Sequence, residues 1–221
     1  MKAARGEPSG FIAVNALAVS ALVGILVFLP DGVLLSPAGL TLVAVGVLGV
    51  GWVILLVVFF RDPERTVGEG IVSPADGRVR VARNGNDTAT ISVFLRIHDV
   101  HVIRSPIKGR VDRLEHKRGG HRFAFSKDAE TNERLILTLE GGAGRATLTL
   151  IAGAFADRIE PYVGEGDRVE KGQRVGIIMF GSRADLTLAA PNPVTLRVKV
   201  GDTVKAGETT ILEAVGEAAT Q

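Results

Sequence analysis

The sequence predicts a mainly β protein that carries an N-terminal pair of membrane helices. Two observations predict this division. From residue 8 to residue 60 the only ionisable side chain is Asp31, whereas charged residues recur every few positions from Arg61 onward. Beyond residue 60, short segments rich in β-branched residues alternate with Gly, Asp and Pro, a pattern typical of strands joined by tight turns. We therefore expect a membrane anchor over residues 1–60 and a catalytic or binding domain over residues 61–221.

The apolar third contains two long hydrophobic runs, Phe11–Pro30 and Gly39–Phe60. Each approaches the roughly 20 residues that a helix needs to cross a bilayer core. Pro30 ends the first run, and Gly32 and Pro37 lie between the two runs. These residues favour a turn, so the pattern predicts a transmembrane helical hairpin. Two alternatives stay open: a hairpin that lies in the membrane interface, and a cleaved signal peptide formed by the first run.

The charges that flank the runs predict an orientation. Lys2 and Arg5 precede the first run, Arg61 and Arg65 follow the second, and the loop between the runs has no Lys or Arg. The positive-inside rule then places both ends in the cytoplasm. We expect the second domain at the cell membrane, on its cytoplasmic side.

No segment after residue 60 shows a sustained apolar stripe with helical spacing, so the domain is predicted to be a barrel or sandwich of short strands. The predicted strands are Thr90–Ile97, Leu135–Leu139, Ala146–Ile151, Arg174–Phe180 and Thr195–Val200.

Two internal repeats refine this prediction. Residues 73–79 (SPADGRV) recur in outline as residues 105–111 (SPIKGRV), and residues 166–172 (GDRVEKG) recur as residues 201–207 (GDTVKAG). The second pair is typical of the two halves of a biotinyl or lipoyl carrier domain, which has a barrel-sandwich-hybrid fold. Such carriers display a modified lysine at the tip between the halves. The corresponding stretch here, residues 179–185, has no lysine and is expected to expose a Gly-Ser pair instead.

Composition excludes several functions. The chain has no cysteine, which excludes disulfides, thiolate nucleophiles and cysteine-based metal sites. The formal net charge is only +2, and basic residues alternate with acidic ones, so no nucleic-acid partner is expected. The spacing of His, Asp and Glu predicts no metal site.

Four short blocks carry the chemistry. Gly181–Ser182 alone is weak evidence, because Gly-Ser is common in turns. It is preceded, in order, by residues 59–65 (FFRDPER), residues 73–77 (SPADG) and residues 99–106 (DVHVIRSP). From about residue 59 to about residue 215, this order and spacing resembles the short form of the phosphatidylserine decarboxylase family, which includes the archaeal archaetidylserine decarboxylases.

The resemblance implies a proenzyme that cuts itself between Gly181 and Ser182. Residues 1–181 become a large β chain and residues 182–221 a small α chain, and the two remain together as a heterodimer. Ser182 becomes a covalent pyruvoyl group, so neither pyridoxal phosphate nor a metal is needed. The group forms a Schiff base with a membrane aminophospholipid and converts phosphatidylserine, or an ether-linked archaetidylserine, to the ethanolamine lipid and carbon dioxide.

The family's assisting aspartate and histidine match Asp76 and His101. Some relatives have a second histidine where this chain has Arg104, so that role is not carried over. The chemistry agrees with this assignment, because a serine hydroxyl needs a base, usually a histidine oriented by a carboxylate. His101 is also expected to return a proton to the substrate Cα after carbon dioxide leaves.

The substrate carries a phosphodiester, so a basic residue near the pocket is expected, and the candidates are Arg96, Arg104 and Lys108. Two other functions stay open. One is a non-catalytic, membrane-tethered adaptor of the lipoyl type. The other is a serine hydrolase that uses Asp76, His101 and Ser182 without cleaving its own chain. Taken alone, the Asp-Gly pair at 76–77 also favours a turn-forming role for Asp76.

Overall fold

The computed structural model describes residues 2–3, 8–85, 88–120, 132–153, 159–178 and 182–215. The chain forms two compact units, Met1–Asp62 and Pro63–Gln221. The helices are α1 (Pro8–Val27), α2 (Asp31–Leu34) and α3 (Pro37–Phe59). The strands are β1 (Lys2–Ala3), β2 (Arg61–Asp62), β3 (Ile71–Val72), β4 (Gly77–Asn84), β5 (Ala89–Leu95), β6 (Val102–Arg104), β7 (Gly109–Lys117), β8 (Arg134–Gly141), β9 (Gly144–Ala152), β10 (Ile159–Pro161), β11 (Arg168–Val169), β12 (Arg174–Ile178), β13 (Ser182–Ala189), β14 (Val194–Leu196), β15 (Thr203–Val204) and β16 (Thr210–Ala214).

The first unit is the predicted helical hairpin. A Cβ atom at Gly49 of α3 would lie 3.0 Å from Val19 of α1, and one at Gly46 would lie 3.2 Å from Leu26, so the helices pack closely and antiparallel. The short antiparallel pair β1–β2 joins the two ends of the hairpin. Both helices are long and apolar enough to cross a membrane. The hairpin is confirmed, and its composition indicates membrane association.

In the second unit, the described residues form one eight-stranded antiparallel sheet in the order β11-β7-β8-β9-β13-β5-β4-β15. Strand β13 lies inside this sheet and pairs with β9 on one side and β5 on the other. Its side chains alternate in burial, so Ser182, Ala184, Leu186 and Leu188 lie on the buried face. The prediction of a mainly β domain is confirmed.

The sequence repeats meet in space. Strand β15 pairs with β4, where Val204 lies opposite Gly77, and strand β11 pairs with β7, where Val169 lies opposite Gly109. Residues 73–79 therefore pair with residues 201–207, and residues 105–111 pair with residues 166–172. The two edges of the large sheet thus have the same local structure. In this arrangement Asp76 and Lys108 occupy equivalent positions directly before β4 and β7.

Two three-stranded sheets complete the described part of this unit, in the orders β10-β12-β6 and β14-β16-β3. The β12–β6 pairing continues beyond β6, because the Ile178 amide donates to the His101 carbonyl at 3.2 Å. This bond ties the segment that leads to β13 to the segment that carries His101.

Leu186→Ala should destabilise the domain strongly, because Leu186 is fully buried at the centre of β13. We expect the free energy of unfolding to fall by about 2–5 kcal/mol. Thr187→Ala is the matched control, since Thr187 points to the other face of the sheet and is half-buried. Urea unfolding of the full chain in detergent, followed by far-UV circular dichroism, measures both. Equal losses in the two variants would contradict the inner position of β13.

Candidate active site

Ser182 is the first residue of β13 and lies between Leu95 of β5 and Ala152 of β9. Its exposed fraction is 0%, and its Oγ has no hydrogen-bond partner among the described residues. A buried hydroxyl without a partner costs about 1–3 kcal/mol. Within the described part of the chain, the Ser182 hydroxyl is therefore buried and makes no structural hydrogen bond.

The expectation that the Gly-Ser pair is exposed at a tip is wrong for Ser182. In a carrier domain the corresponding residues form a hairpin end, whereas here Ser182 begins a strand that is paired on both sides. This burial disfavours a displayed attachment point. Gly181, the other residue of the predicted cleavage site, lies outside the described residues.

The main chain of Ser182 is held by β5. The Ala152 amide donates to the Glu133 carbonyl at 2.9 Å, and the Ala152 carbonyl accepts from Asn132 Nδ2 at 2.7 Å, so both polar groups of Ala152 point away from β13. Because hydrogen-bonded and non-hydrogen-bonded pairs alternate in antiparallel sheets, the amide of Ser182 points to Leu95. That amide nitrogen belongs to the predicted scissile bond.

A turn built by Asp99 follows β5. The Asp99 carboxylate accepts from the Arg96 amide at 2.8 Å and from Arg96 Nε and Nη2 at 3.0 Å each. The Asp99 amide in return donates to the Arg96 carbonyl at 2.9 Å. Burial acts to raise the pKa of Asp99, but the hydrogen bonds and the charge of Arg96 outweigh it and lower the pKa below its ordinary value.

The same turn orients His101. This side chain is fully buried, and its Nδ1 lies 2.8 Å from the Asp99 carbonyl oxygen. A carbonyl can only accept, so Nδ1 carries the proton and Nε2 is the basic nitrogen of the neutral ring. The expected orienting carboxylate is therefore replaced at Nδ1 by a main-chain carbonyl.

His101 and Ser182 are brought to the same end of the sheet. Ser182 lies opposite Leu95, and Ile178 is hydrogen-bonded to His101. Residues 96–100, which contain the turn that orients His101, link Leu95 to His101, and these two residues contact Ser182 and Ile178. The predicted scissile bond lies in the sequence between Ile178 and Ser182.

Asp76 lies directly before β4, and its carboxylate is held from two sides. Oδ2 accepts from Arg65 Nη2 at 2.8 Å, and Oδ1 accepts from the Ala206 amide at 2.7 Å. The strand order puts Asp76 two strands from Ser182, a main-chain separation of about 10 Å. Asp76 thus belongs to the same end of the sheet, but its described hydrogen bonds go to Arg65 and Ala206.

Several effects act on the pKa of Asp76 in opposite directions. Burial raises the pKa of Asp76, the Ala206 amide and Arg65 act to lower it, and the nearby Asp99 carboxylate raises it further. The net shift is upward. Arg65 is therefore one of the groups that favour the ionised form of Asp76.

The three candidate phosphate ligands lie in different settings. Arg96 has 42% of its side chain exposed and is paired with Asp99. Arg104 is buried and donates to the carbonyls of Gly172 and Pro63 at 3.0 and 2.9 Å. Lys108 has 74% of its side chain exposed and pairs with Glu170 at 3.0 Å. Within the described ranges, no group of three His, Asp or Glu residues could hold a metal ion.

Sequence reasoning missed three residues of this site. Asp99 stands in the quoted 99–106 block, and its spacing of two residues from His101 could have drawn attention to it. Asn132 is buried against Ala152, the neighbour of Ser182, but nothing in its local sequence indicates this. Arg65 was noted as a flanking charge and as the last residue of the 59–65 block, but no site role was predicted for it, and just 6% of its side chain is exposed.

Ser182 on an inner strand and His101 at the same end of the strands are therefore a candidate nucleophile and a candidate base, the pair that a serine-centred enzyme requires. Residues 52–212 match the family model described as phosphatidylserine decarboxylase. The chain therefore belongs to the phosphatidylserine decarboxylase family. It is a carboxy-lyase, and its relatives bear the name of proenzymes.

Bacterial and archaeal relatives are similarly close. A Halobacterium salinarum protein that bears the name archaetidylserine decarboxylase proenzyme is 48% identical over 170 residues, which cover 75% of this chain and 84% of the relative. The phosphatidylserine decarboxylase proenzyme of Streptomyces coelicolor is 46% identical over 155 residues, covering 69% and 70% of the two chains. A third relative, from Methanococcoides burtonii and also named for archaetidylserine, is 42% identical over 156 residues, covering 69% and 72%.

Asp99→Asn should slow self-cleavage about tenfold or more. The substitution keeps the size of the side chain but removes the charge that accepts from Arg96, so the turn that orients His101 loosens. Denaturing electrophoresis at timed intervals after refolding measures the small fragment. Asp112→Asn is the matched control, because Asp112 pairs with Arg145 on the exposed surface. Cleavage at the wild-type rate in Asp99→Asn would show that the turn does not serve His101.

Proposed function

We propose that this chain cleaves itself between Gly181 and Ser182 and then decarboxylates the serine headgroup of a membrane phospholipid, phosphatidylserine or archaetidylserine. The observation that carries this proposal is the Oγ of Ser182, which is fully buried and has no hydrogen-bond partner in the described part of the chain. Family membership supports the reaction class.

Cleavage begins with a proton transfer. Nε2 of His101 takes the Ser182 Oγ proton, and Oγ attacks the Gly181 carbonyl carbon. Nε2 then passes this proton to the Ser182 nitrogen as the peptide C–N bond breaks, which leaves an ester and a free amine. Loss of the Ser182 Cα proton then breaks the Cβ–Oγ bond, and Gly181 leaves as a carboxylate that keeps this oxygen. Water hydrolyses the resulting dehydroalanine, which releases ammonia and leaves a pyruvoyl group.

The surroundings of Ser182 fit a pyruvoyl group. Leu95 and Ala152 on the neighbouring strands are fully buried, so position 182 is shielded from water, and a small planar ketone requires no charged partner there. Such a group supplies a carbonyl that captures the substrate amine and accepts the electrons released with carbon dioxide. The rest of the reaction falls to the protein.

The protein residues then act on the substrate. His101, with its proton on Nδ1 fixed by Asp99, exchanges protons through Nε2 and returns one to the substrate Cα. Arg96 is the best placed of the three phosphate candidates. It follows Leu95, it is partly exposed, and its Nε and Nη2 already bind Asp99, which leaves donors on Nη1 for a phosphate oxygen.

The two fragments should remain together. The small fragment, 182–221, includes β13, which pairs along its length with β5 and β9 of the large fragment. Strands β15 and β16 also pair with β4 and β3 of the large fragment. Separation would expose the buried face of β13, so a stable heterodimer is the expected product.

In this proposal the hairpin anchors the enzyme to the membrane that contains its lipid substrate. Strands β1 and β2 bring both ends of the hairpin together, as expected if both lie on one side of the membrane. Lys2, Arg5 and Arg61 are the basic residues at these ends, and the positive-inside rule assigns them to the cytoplasm. We therefore place the catalytic unit at the cytoplasmic face of the cell membrane.

Intact mass spectrometry tests the cleavage. The purified wild-type chain should yield a fragment of residues 182–221 whose mass is lower by one ammonia than the same fragment with an N-terminal serine. Ser182→Ala should remain a single folded chain, because it lacks the attacking oxygen and loses a buried hydroxyl without a partner.

Lipid vesicles complete that test. Cleaved protein is mixed with vesicles that contain phosphatidylserine or archaetidylserine, and carbon dioxide release is followed; Ser182→Ala is the control. Release from either lipid supports the proposal and identifies the preferred backbone. An uncut wild-type chain that labels with a fluorophosphonate would instead identify a serine hydrolase.

His101→Ala should lose decarboxylation more than a hundredfold per ketone formed, because general acid catalysis contributes about 10²–10⁴. The variant is incubated until cleavage is complete, its ketone is titrated with phenylhydrazine, and activity is normalised to that value. His98→Ala is the control, since His98 is exposed and three residues away.

Full activity per ketone in His101→Ala would exclude His101 as the proton donor. If His101→Ala cannot cleave itself, the pH profile of the mature wild-type enzyme provides the test. Decarboxylation should then fall as the pH rises, because it requires a protonated group, and a rate independent of pH would exclude His101 as the proton donor.

A further inference from the structure

We propose that Arg65 is a positioning residue for self-cleavage, which holds the Asp76 carboxylate between itself and the Lys205–Glu208 turn. The inference rests on the proposed function, because it assigns Arg65 a part in the reaction proposed for Ser182. It also assigns a function to the 59–65 block, which none of the steps above uses.

Arg65 is committed to acidic partners inside the domain. Its side chain is only 6% exposed, Nη2 lies 2.8 Å from Asp76 Oδ2, and Nη1 lies 3.8 Å from Glu208 Oε2. Nη1 is buried and has no hydrogen-bond partner among the described residues. A buried guanidinium is costly unless carboxylates compensate its charge, so Arg65 and Asp76 depend on each other.

The second hydrogen bond to the Asp76 carboxylate comes from a residue that follows the predicted cleavage site in the sequence. Ala206, whose amide binds Oδ1, and Glu208 both follow Ser182, whereas Arg65 and Asp76 precede it. The carboxylate is thus clamped between the two future fragments. Arg65 sets the position that Asp76 takes relative to the fragment that carries the reacting serine.

The internal repeat provides a comparison within the same molecule. The Gly207 amide donates to the Ser73 carbonyl at 2.8 Å, and the equivalent Gly172 amide donates to the Ser105 carbonyl at 2.9 Å. At the second site, however, the position of Asp76 is taken by Lys108, which pairs with Glu170 on the exposed surface. The turn therefore forms without a buried Arg–Asp pair. Only the first of these two sites has a buried Arg–Asp pair, and this site lies at the same end of the strands as Ser182.

The charged groups around Asp76 predict in which direction its pKa changes when Arg65 is removed. Arg65 favours its ionised form and Asp99 opposes it, while Glu208 and Lys205 pair with each other on the outer side of the turn. Removal of Arg65 leaves the Ala206 amide as the main group that favours the carboxylate, so the pKa of Asp76 rises further. The family resemblance gives the Asp76 carboxylate an assisting role in cleavage, so cleavage should then fail first at low pH.

The test measures cleavage rates of the refolded full chain from pH 5.5 to pH 9. Arg65→Met should slow cleavage tenfold or more at pH 6 and much less at pH 8.5, and should move the acidic limb of the profile upward by about one pH unit. Arg65→Lys keeps the charge and should recover most of the rate. Arg145→Met is the matched control, because Arg145 pairs with Asp112 and Glu140 on the surface at the far end of β9.

An unchanged profile in Arg65→Met, or an equal loss at every pH, overturns the inference, since the second result is that of a purely structural residue. Arg65→Gln is measured in parallel, and circular dichroism identifies which neutral variant is folded; an unchanged or uniformly lowered profile in that variant is equally decisive. A wild-type chain that never cleaves contradicts the proposed function itself. The wild-type sample, measured in parallel with the Arg65 variants, distinguishes this outcome from the others.

Discussion

The pairing of β13 between β5 and β9 is the constraint on which the rest of the site depends. It fixes Ser182 at the head of an inner strand, removes its hydroxyl from water and turns its amide toward Leu95. The same ladder determines where the neighbouring segments begin and end. Strand β5 ends at Leu95, which lies opposite Ser182. The turn that contains Asp99 follows directly, so His101 lies at the same end of the strands as Ser182.

Local sequence patterns predicted the elements well, because each depends on short-range properties. The predicted strand Leu135–Leu139 lies within β8, and Ala146–Ile151 lies within β9. The two hydrophobic runs correspond to α1 and α3, shifted by one to three residues at their ends. Thr195–Val200 was less accurate, since β14 ends at Leu196.

The site was predicted only in part, because its geometry arises from contacts between distant segments. The four sequence blocks placed Ser182, His101 and Asp76 in one enzyme family, but local composition could not show that Ser182 begins an inner strand. Nor could it show that a carbonyl orients His101 or that Arg65 reaches Asp76 across eleven positions. These features follow from strand register, which is set by the whole sheet.

The inner position of Ser182 has a kinetic consequence. All groups assigned to the cleavage reaction belong to one folded chain, so maturation is expected to be first order in protein and independent of its concentration. The proposed cut lies at the start of a strand that is paired on both sides, so the new chain end is expected to stay in the sheet. Each polypeptide can then mature only once, and the amount of active enzyme reflects how many chains have folded rather than how often two subunits meet.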